Sequence, residues 1–339
     1  MLLVSLTEFI LYICFSLLIG SLILYIVPED KRTTLNVPKK LLYLTAILIP
    51  ITVFFPFFRT ASILAGDMGL WSTLMNVILT FEIGKAWLFI QFYIHHSHIC
   101  IESQAPDRKV AFKNVGFGLT LLMLFGYTNS AHAATITEWQ GFIVHTLHFM
   151  SISIWIGILF VISWFSKDKH NWTPFLKWFT PVAIICLAIA IITGYFTMEI
   201  DIDSYDDVNA SVLQEYQNSL IVNYGQALVL KHIFIISLVI FALINGFLFR
   251  KQQNNASFNP LKWARLESIY ALVVFGLTAF MGQSWPPHQI YSLVKTEGAS
   301  PLFNALYDGD IVNTIQNAEQ GACSMSPCHL LWKTTCYSL

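Results

Sequence analysis

Trp139 to Phe165 reads WQGFIVHTLHFMSISIWIGILFVISWF, a run with no aspartate, glutamate, lysine or arginine. About 20 apolar residues are enough to cross a bilayer as a helix, so this stretch is a membrane span. Its polar side chains then lie where water cannot satisfy them, and His145 and His148 become candidates for chemistry.

Seven further apolar runs surround it, at about 3–27, 41–64, 72–94, 111–129, 175–198, 224–249 and 266–284. The 339-residue chain is 55% hydrophobic and 12% charged, with a net charge of −1. Soluble domains carry roughly 25% charged residues; half of that is missing, and the remainder is clumped between the runs. The expected fold is all-α, a polytopic membrane helix bundle of about eight transmembrane helices set in a lipid bilayer. A soluble enzyme is excluded, and no basic stripe points to nucleic acid. The run at 3–27 is too long, and lacks the basic flank, for a cleavable signal, so it is read as the first span. Cys14 and Cys186 lie inside runs, Cys100 lies in a loop, and the remaining three cysteines crowd the last residues, which is no disulfide framework.

Lysine and arginine orient a bundle, because they accumulate in cytoplasmic loops. The odd-numbered loops hold Lys31, Arg32, Lys39 and Lys40, then Arg108, Lys109 and Lys113, then Lys167, Lys169 and Lys177, then Arg250, Lys251, Lys262 and Arg265. The even-numbered loops hold none, so both termini are expected outside. The outer loop between spans six and seven carries Glu199, Asp201, Asp203, Asp206, Asp207 and Glu215 with no basic residue. It reads as a solvated connector or as a collector of cations.

A faint internal repeat runs through the spans. Ser16-x3-Gly20 in span one is matched by Ser153-x3-Gly157 in span five, and Glu82-Ile-Gly84 opening span three by Asn223-Tyr-Gly225 opening span seven. Gly126-x5-His132 ends span four as Gly282-x5-His288 ends span eight. Two four-helix halves in the same orientation explain these matches; chance likeness between apolar helices competes with that reading. The organisation expected is an N-terminal half over 1–130, a C-terminal half over 131–290 and an extracytoplasmic tail over 291–339.

With this orientation His132, His145, His148, His232 and His288 all occupy the outer third of the membrane. Singly, each reads as a hydrogen-bonded packing residue; together, imidazoles converging at one depth suit a transition metal. Thioethers at Met150, Met198 and Met281 favour soft Cu(I). His145 and His148, three apart, share a helix face. Glu82 and Lys85 read either as a neutralising pair or as part of an ion path, and Arg59 is expected to reach the interface. His95, His96 and His98 read as an exposed cytoplasmic helix end or as a group that receives a metal on that side, and Cys323, Met325, Cys328 and His329 as part of an atypical tail or as soft metal ligands.

From span four onward the chain resembles the bacterial copper resistance protein D (CopD) family. The resemblance rests on Ala131-His132-Ala133-Ala134, Leu147-His148-x6-Trp155-x-Gly157, Thr193-Gly194, Tyr224-Gly225-x2-Leu228-x2-Lys231, Asn245, Arg265-x-Glu267 and Trp285-Pro286-Pro287-His288. It covers about residues 130–290. Ile158 stands where a second glycine is usual, and the first half matches in topology only. The resemblance implies copper transport across the bacterial cytoplasmic membrane, with His132, His148 and His288 as ligands; His145 and Met281 join them on depth alone. Copper ions, and an extracytoplasmic copper chaperone, are the implied partners. The competing readings are a bis-histidine haem redox protein using His148 and His232, and a copper-handling assembly factor or sensor without net transport.

Overall fold

The computed structural model describes residues 2–66, 69–102, 109–131, 134, 136–168, 170–203, 211–252, 259–307 and 309. Among these the chain is built of helices. In order they are α1 (Leu2–Ile26), α2 (Lys39–Leu64), α3 (Leu70–Thr80), α4 (Glu82–Glu102), α5 (Lys109–Asn129), α6 (Glu138–Phe165), α7 (Trp172–Ile202), α8 (Val212–Ser219), α9 (Asn223–Gln252), α10 (Pro260–Met281), α11 (Ile290–Glu297) and α12 (Pro301–Leu306).

Six of them (α1, α2, α6, α7, α9 and α10) are long and apolar enough to cross a membrane, or seven spans if the bent pair α3–α4 counts as one. The fold is therefore the all-α polytopic bundle expected, with its third span altered. That run is broken between α3 and α4, and the axis turns by 77°. Phe81 takes an extended conformation, and Gly84 follows so closely that a Cβ there would stand 2.3 Å from the Val77 carbonyl oxygen. The expected fourth span is α5, a 21-residue helix packed on α1 and α4.

α1 is the central post, packed against α2, α5, α6 and α10. Its Leu11, Phe15 and Ile19 are fully buried among Ile49 of α2, Ile90 of α4, Met123 and Leu124 of α5, and Phe149 of α6. In lipid the hydrophobic effect does not drive helices together, so close approach through small residues carries more of the packing. That is what the Ser-x3-Gly pairs do. A Cβ on Gly20 would stand 2.2 Å from the Gly157 backbone, and one on Gly157 would stand 2.2 Å from the Ser16 carbonyl oxygen. The Ser16 and Ser153 hydroxyls are buried without hydrogen-bond partners, so these serines serve through their size. The two motifs matched in sequence thus cross one another in space.

The other matched pair shares a local geometry. Gly225, like Gly84, is the third residue of a long helix that follows a short one, and a Cβ there would stand 2.2 Å from the Ser219 carbonyl oxygen at the end of α8. At the opposite end of the bundle from the N-terminus of α1, Arg265 donates Nε–H to the Ser163 carbonyl at 2.8 Å. Trp164 donates Nε1–H to Ser268 at 2.9 Å. These bonds tie α10 to α6. At the near end α11 and α12 pack over α7 and α9 through Val294, Phe303, Ile202 and Tyr224. The cysteine-bearing part of the tail, and the side chains of His95, His96 and His98, lie outside what is described.

Candidate metal centre

α6 brings in the two histidines read from its sequence, and α7 fixes one of them. The His148 ring lies across Gly194, where a Cβ would stand 2.9 Å from Cε1. Its Nδ1 is 3.0 Å from the Ala190 carbonyl oxygen. A carbonyl only accepts, so Nδ1 carries the proton and donates it. Thr193 Oγ1, 3.3 Å from the same nitrogen, gives its own proton to the Ile189 carbonyl at 2.6 Å, and its oxygen is left as a second acceptor. The tautomer is set, and the Nε2 lone pair remains for a ligand. Backbone-anchored imidazoles of this kind are how metal-binding histidines are oriented. Thr193-Gly194 of α7 is thus the seat of the His148 ring, the glycine leaving room and the threonine accepting.

A series of electrostatic interactions leads away from this pair. His145, His148 and His232 each interact electrostatically with Lys231 of α9. Lys231 therefore faces the bundle interior. It interacts in turn with Asp201, in the last turn of α7, and Asp201 with His288. The Tyr224 hydroxyl donates to Asp201 Oδ2 at 3.0 Å, while Oδ1 is buried with no hydrogen-bond partner. His232 sits with its Nδ1 2.9 Å from the Tyr216 hydroxyl of α8. Burial raises the Tyr216 phenol above its ordinary value, so that hydroxyl keeps its proton. The two imidazoles weighed for haem are accordingly tied to different elements, His148 to α7 and His232 to α8.

His288 follows the Trp285-Pro286-Pro287 turn, and its Nδ1 donates to the Asp203 carbonyl at 2.8 Å. Met281, the last residue of α10, is buried among Ile202, Tyr224 and Val294, with Met198 packed alongside. His132 lies outside the described residues. Among the described residues no group of three His, Cys, Asp or Glu side chains is placed to hold a metal. Among the described residues the structure thus orients His148 and His288 individually, with Lys231 and Asp201 in electrostatic reach of them, and does not close them into one coordination shell.

The acidic loop resolves into distinct roles. Glu199, Asp203 and Glu215 line a cleft of about 380 Å³ with Gln140, Phe196, Ile200 and Val212, and Asp201 turns inward to Tyr224. Asp206 and Asp207 lie outside the described residues. Lys85 Nζ is 2.7 Å from Glu82 Oε1, and Asn129 donates to Glu82 Oε2 at 3.0 Å, so this pair neutralises itself. Arg59 Nη1 donates to Gln283 Oε1 at 2.7 Å, and Gln283 Nε2 donates to Glu8 Oε1 at 2.7 Å. Glu8 and Asp201 are the polar residues that reading by motif missed. The signal for Glu8 was present: a lone carboxylate inside the first apolar run.

Three features now coincide in one region: a backbone-fixed histidine, a buried methionine and an acid-lined cleft. Residues 173–281 match the family CopD, copper resistance protein D. The match supports the CopD assignment and, with the apolar helices, a copper-handling membrane protein. It runs from the start of α7 to the end of α10. Within it fall Thr193-Gly194, Tyr224-Gly225, Lys231, Arg265 and, at its last position, Met281; His132, His145, His148 and His288 fall outside it. No curated protein and no solved structure matches the chain.

Proposed function

We propose that this chain carries copper across a bacterial cytoplasmic membrane, with both termini outside. The observation that carries the reading is the His148 ring, seated on the CopD-matching helix α7 with Nδ1–H committed to a carbonyl, which leaves Nε2 as the nitrogen with a lone pair. Copper is drawn to the outer mouth by the acid-lined cleft. It is held by imidazole and thioether donors from His148, His145, His288, Met281 and, on the resemblance, His132. Cu(I) accepts two or three soft ligands where zinc prefers four, so oriented single imidazoles and a methionine form a sequence of low-coordinate stations for the ion. An extracytoplasmic copper chaperone delivering to the cleft fits its negative lining.

The test is metal analysis of purified protein loaded with Cu(I), paired with uptake of radioactive copper into proteoliposomes. Wild-type protein is expected to bind copper and fill the vesicles; His148→Ala is expected to lose both. Equal copper content in the two proteins removes the site. Copper bound by wild-type protein without uptake removes transport and leaves a copper-handling assembly factor or sensor.

A further inference from the structure

One side chain that the copper reading leaves unused is a buried acid in the first span. Glu8 lies in the second turn of α1 with 9% of its surface exposed. Oε1 is engaged by Gln283, which is itself held by Arg59. Oε2 is buried and has no hydrogen-bond partner. The residue facing it is Gly282, where a Cβ would stand 3.3 Å from Oε2, so the absence of a side chain keeps that oxygen clear. One turn further along α1, Tyr12 is hydrogen-bonded to Tyr127 of α5, and Glu8 interacts electrostatically with both.

The groups facing Glu8 are Arg59 from α2, Tyr127 from α5, Tyr12 from its own helix and Gln283 beyond α10. α6 presents Phe149, which packs on Tyr12 with ring centroids 5.5 Å apart, while the α6 histidines interact with Lys231. A metal ion fits this setting poorly. One open oxygen is too few donors, and the Arg59 guanidinium stands behind Gln283 as an opposing positive charge. A proton needs one oxygen only. It also removes the cost of burying an ion that lacks partners.

We infer that Glu8 is a proton-binding carboxylate of the bundle, taking up and releasing a proton at Oε2. In the binding step a hydronium ion from the wet end of the helices gives its proton to Oε2. One O–H bond forms there, one breaks on the hydronium, a water leaves, and the carboxylate becomes a neutral acid. Release is the reverse. The fixed Gln283–Arg59 pair holds Oε1 in both states, so the exchange is confined to one oxygen. If the chain moves copper as proposed above, such a group is where a proton gradient is coupled.

The test has a spectroscopic arm without copper and a second arm that measures bound copper. Difference infrared spectra of the purified full chain, recorded across a pH series, report the C=O stretch of a neutral carboxylic acid, which an ionised carboxylate lacks. Wild-type protein is expected to show an acid band that grows and fades with pH, and Glu8→Gln, which keeps the length of the side chain, is expected to lose that component. Glu8→Asp, which keeps a carboxyl at a different reach, is expected to retain a band with a displaced midpoint, and serves where the glutamine variant does not fold. Identical spectra for wild type and Glu8→Gln, or an unmoved midpoint in Glu8→Asp, overturns the inference. So does a fall in bound copper in Glu8→Gln, which makes Glu8 a metal ligand instead.

Discussion

Glu8 on α1 and His145 on α6 both lie twelve residues before the glycine at which their helices cross, Gly20 and Gly157. They sit at the same depth on helices that meet face to face, yet their surroundings differ in kind. Glu8 is gripped by side chains, Gln283 and behind it Arg59, from beyond α10 and from α2. One turn along from His145, the His148 ring is gripped by a single neighbour, α7, through the Ala190 carbonyl and the Thr193 hydroxyl oxygen. The difference teaches how one bundle separates two chemistries. An acid held by neutral and cationic donors is suited to exchange a proton. An imidazole whose Nδ1–H is committed to a carbonyl keeps its other nitrogen for a soft metal.

The comparison depends on the crossing, and the crossing is where the largest effect is expected. Gly157→Ala places a Cβ 2.2 Å from the Ser16 carbonyl oxygen, and backbone, unlike a flexible side-chain tip, cannot swing aside. The central pair α1–α6 must part. Overpacking of this kind costs about 1–3 kcal/mol, occasionally more, and here both halves feel it. Thermal unfolding of the detergent-solubilised protein is expected to show a clearly lowered midpoint, with copper binding and the Glu8 acid band disturbed together. An unchanged midpoint would mean that the two positions do not share a common frame.

A smaller and more selective effect is expected at Gly194. Gly194→Ala sets a Cβ 2.9 Å from His148 Cε1. The ring is rigid and has to shift, lengthening or breaking the Nδ1–H bond to Ala190. Loss of such an orienting partner lowers metal affinity by about 10–100-fold. Equilibrium titration with Cu(I) is expected to show that weakening while the Glu8 band stays where it was. A change in both would tie the two halves more closely than their separate partners suggest; a change in neither would remove the role given to His148.

How much of this was legible beforehand follows from which forces leave a trace in one dimension. The apolar runs were readable because every backbone group in lipid must be satisfied within its helix, which imposes a long unbroken pattern. The break between α3 and α4 was not, since Glu82-Ile-Gly84 carries no proline, and only the approach of Gly84 to the end of α3 shows why the axis turns. Ser16-x3-Gly20 and Ser153-x3-Gly157 were legible as a pair, but their contact is a property of two distant segments. Thr193-Gly194 stood out as a motif without a reason until the His148 ring lay across it. Asp201 was read as one acid of a loop and proves to end α7 beside Tyr224, because a helix boundary a few residues off changes a solvated side chain into a buried one. Glu8 was passed over for want of a motif, although its burial inside a span was the stronger signal.

The two helices that follow a short one differ once more, three residues after the glycine near the start of α4 and of α9. There α4 has Trp87 and α9 has Leu228. Trp87 donates its indole N–H to the Pro50 carbonyl of α2 at 3.0 Å and stacks on Phe57 with centroids 5.9 Å apart. This closes the seam between α2 and α4. Leu228 has no donor to give, and α7 and α9 are joined instead by the Tyr224–Asp201 hydrogen bond near their shared end. Trp87→Phe keeps an aromatic ring against Phe57 and removes the N–H. Hydrogen bonds between membrane helices average roughly 0.6 kcal/mol, so the unfolding midpoint is expected to fall slightly and Cu(I) affinity not at all. A fall in copper affinity would show that the closed seam between α2 and α4 helps to position the imidazoles of α6. The contrast between the two regions would then be one of a rigid frame and the site that it supports.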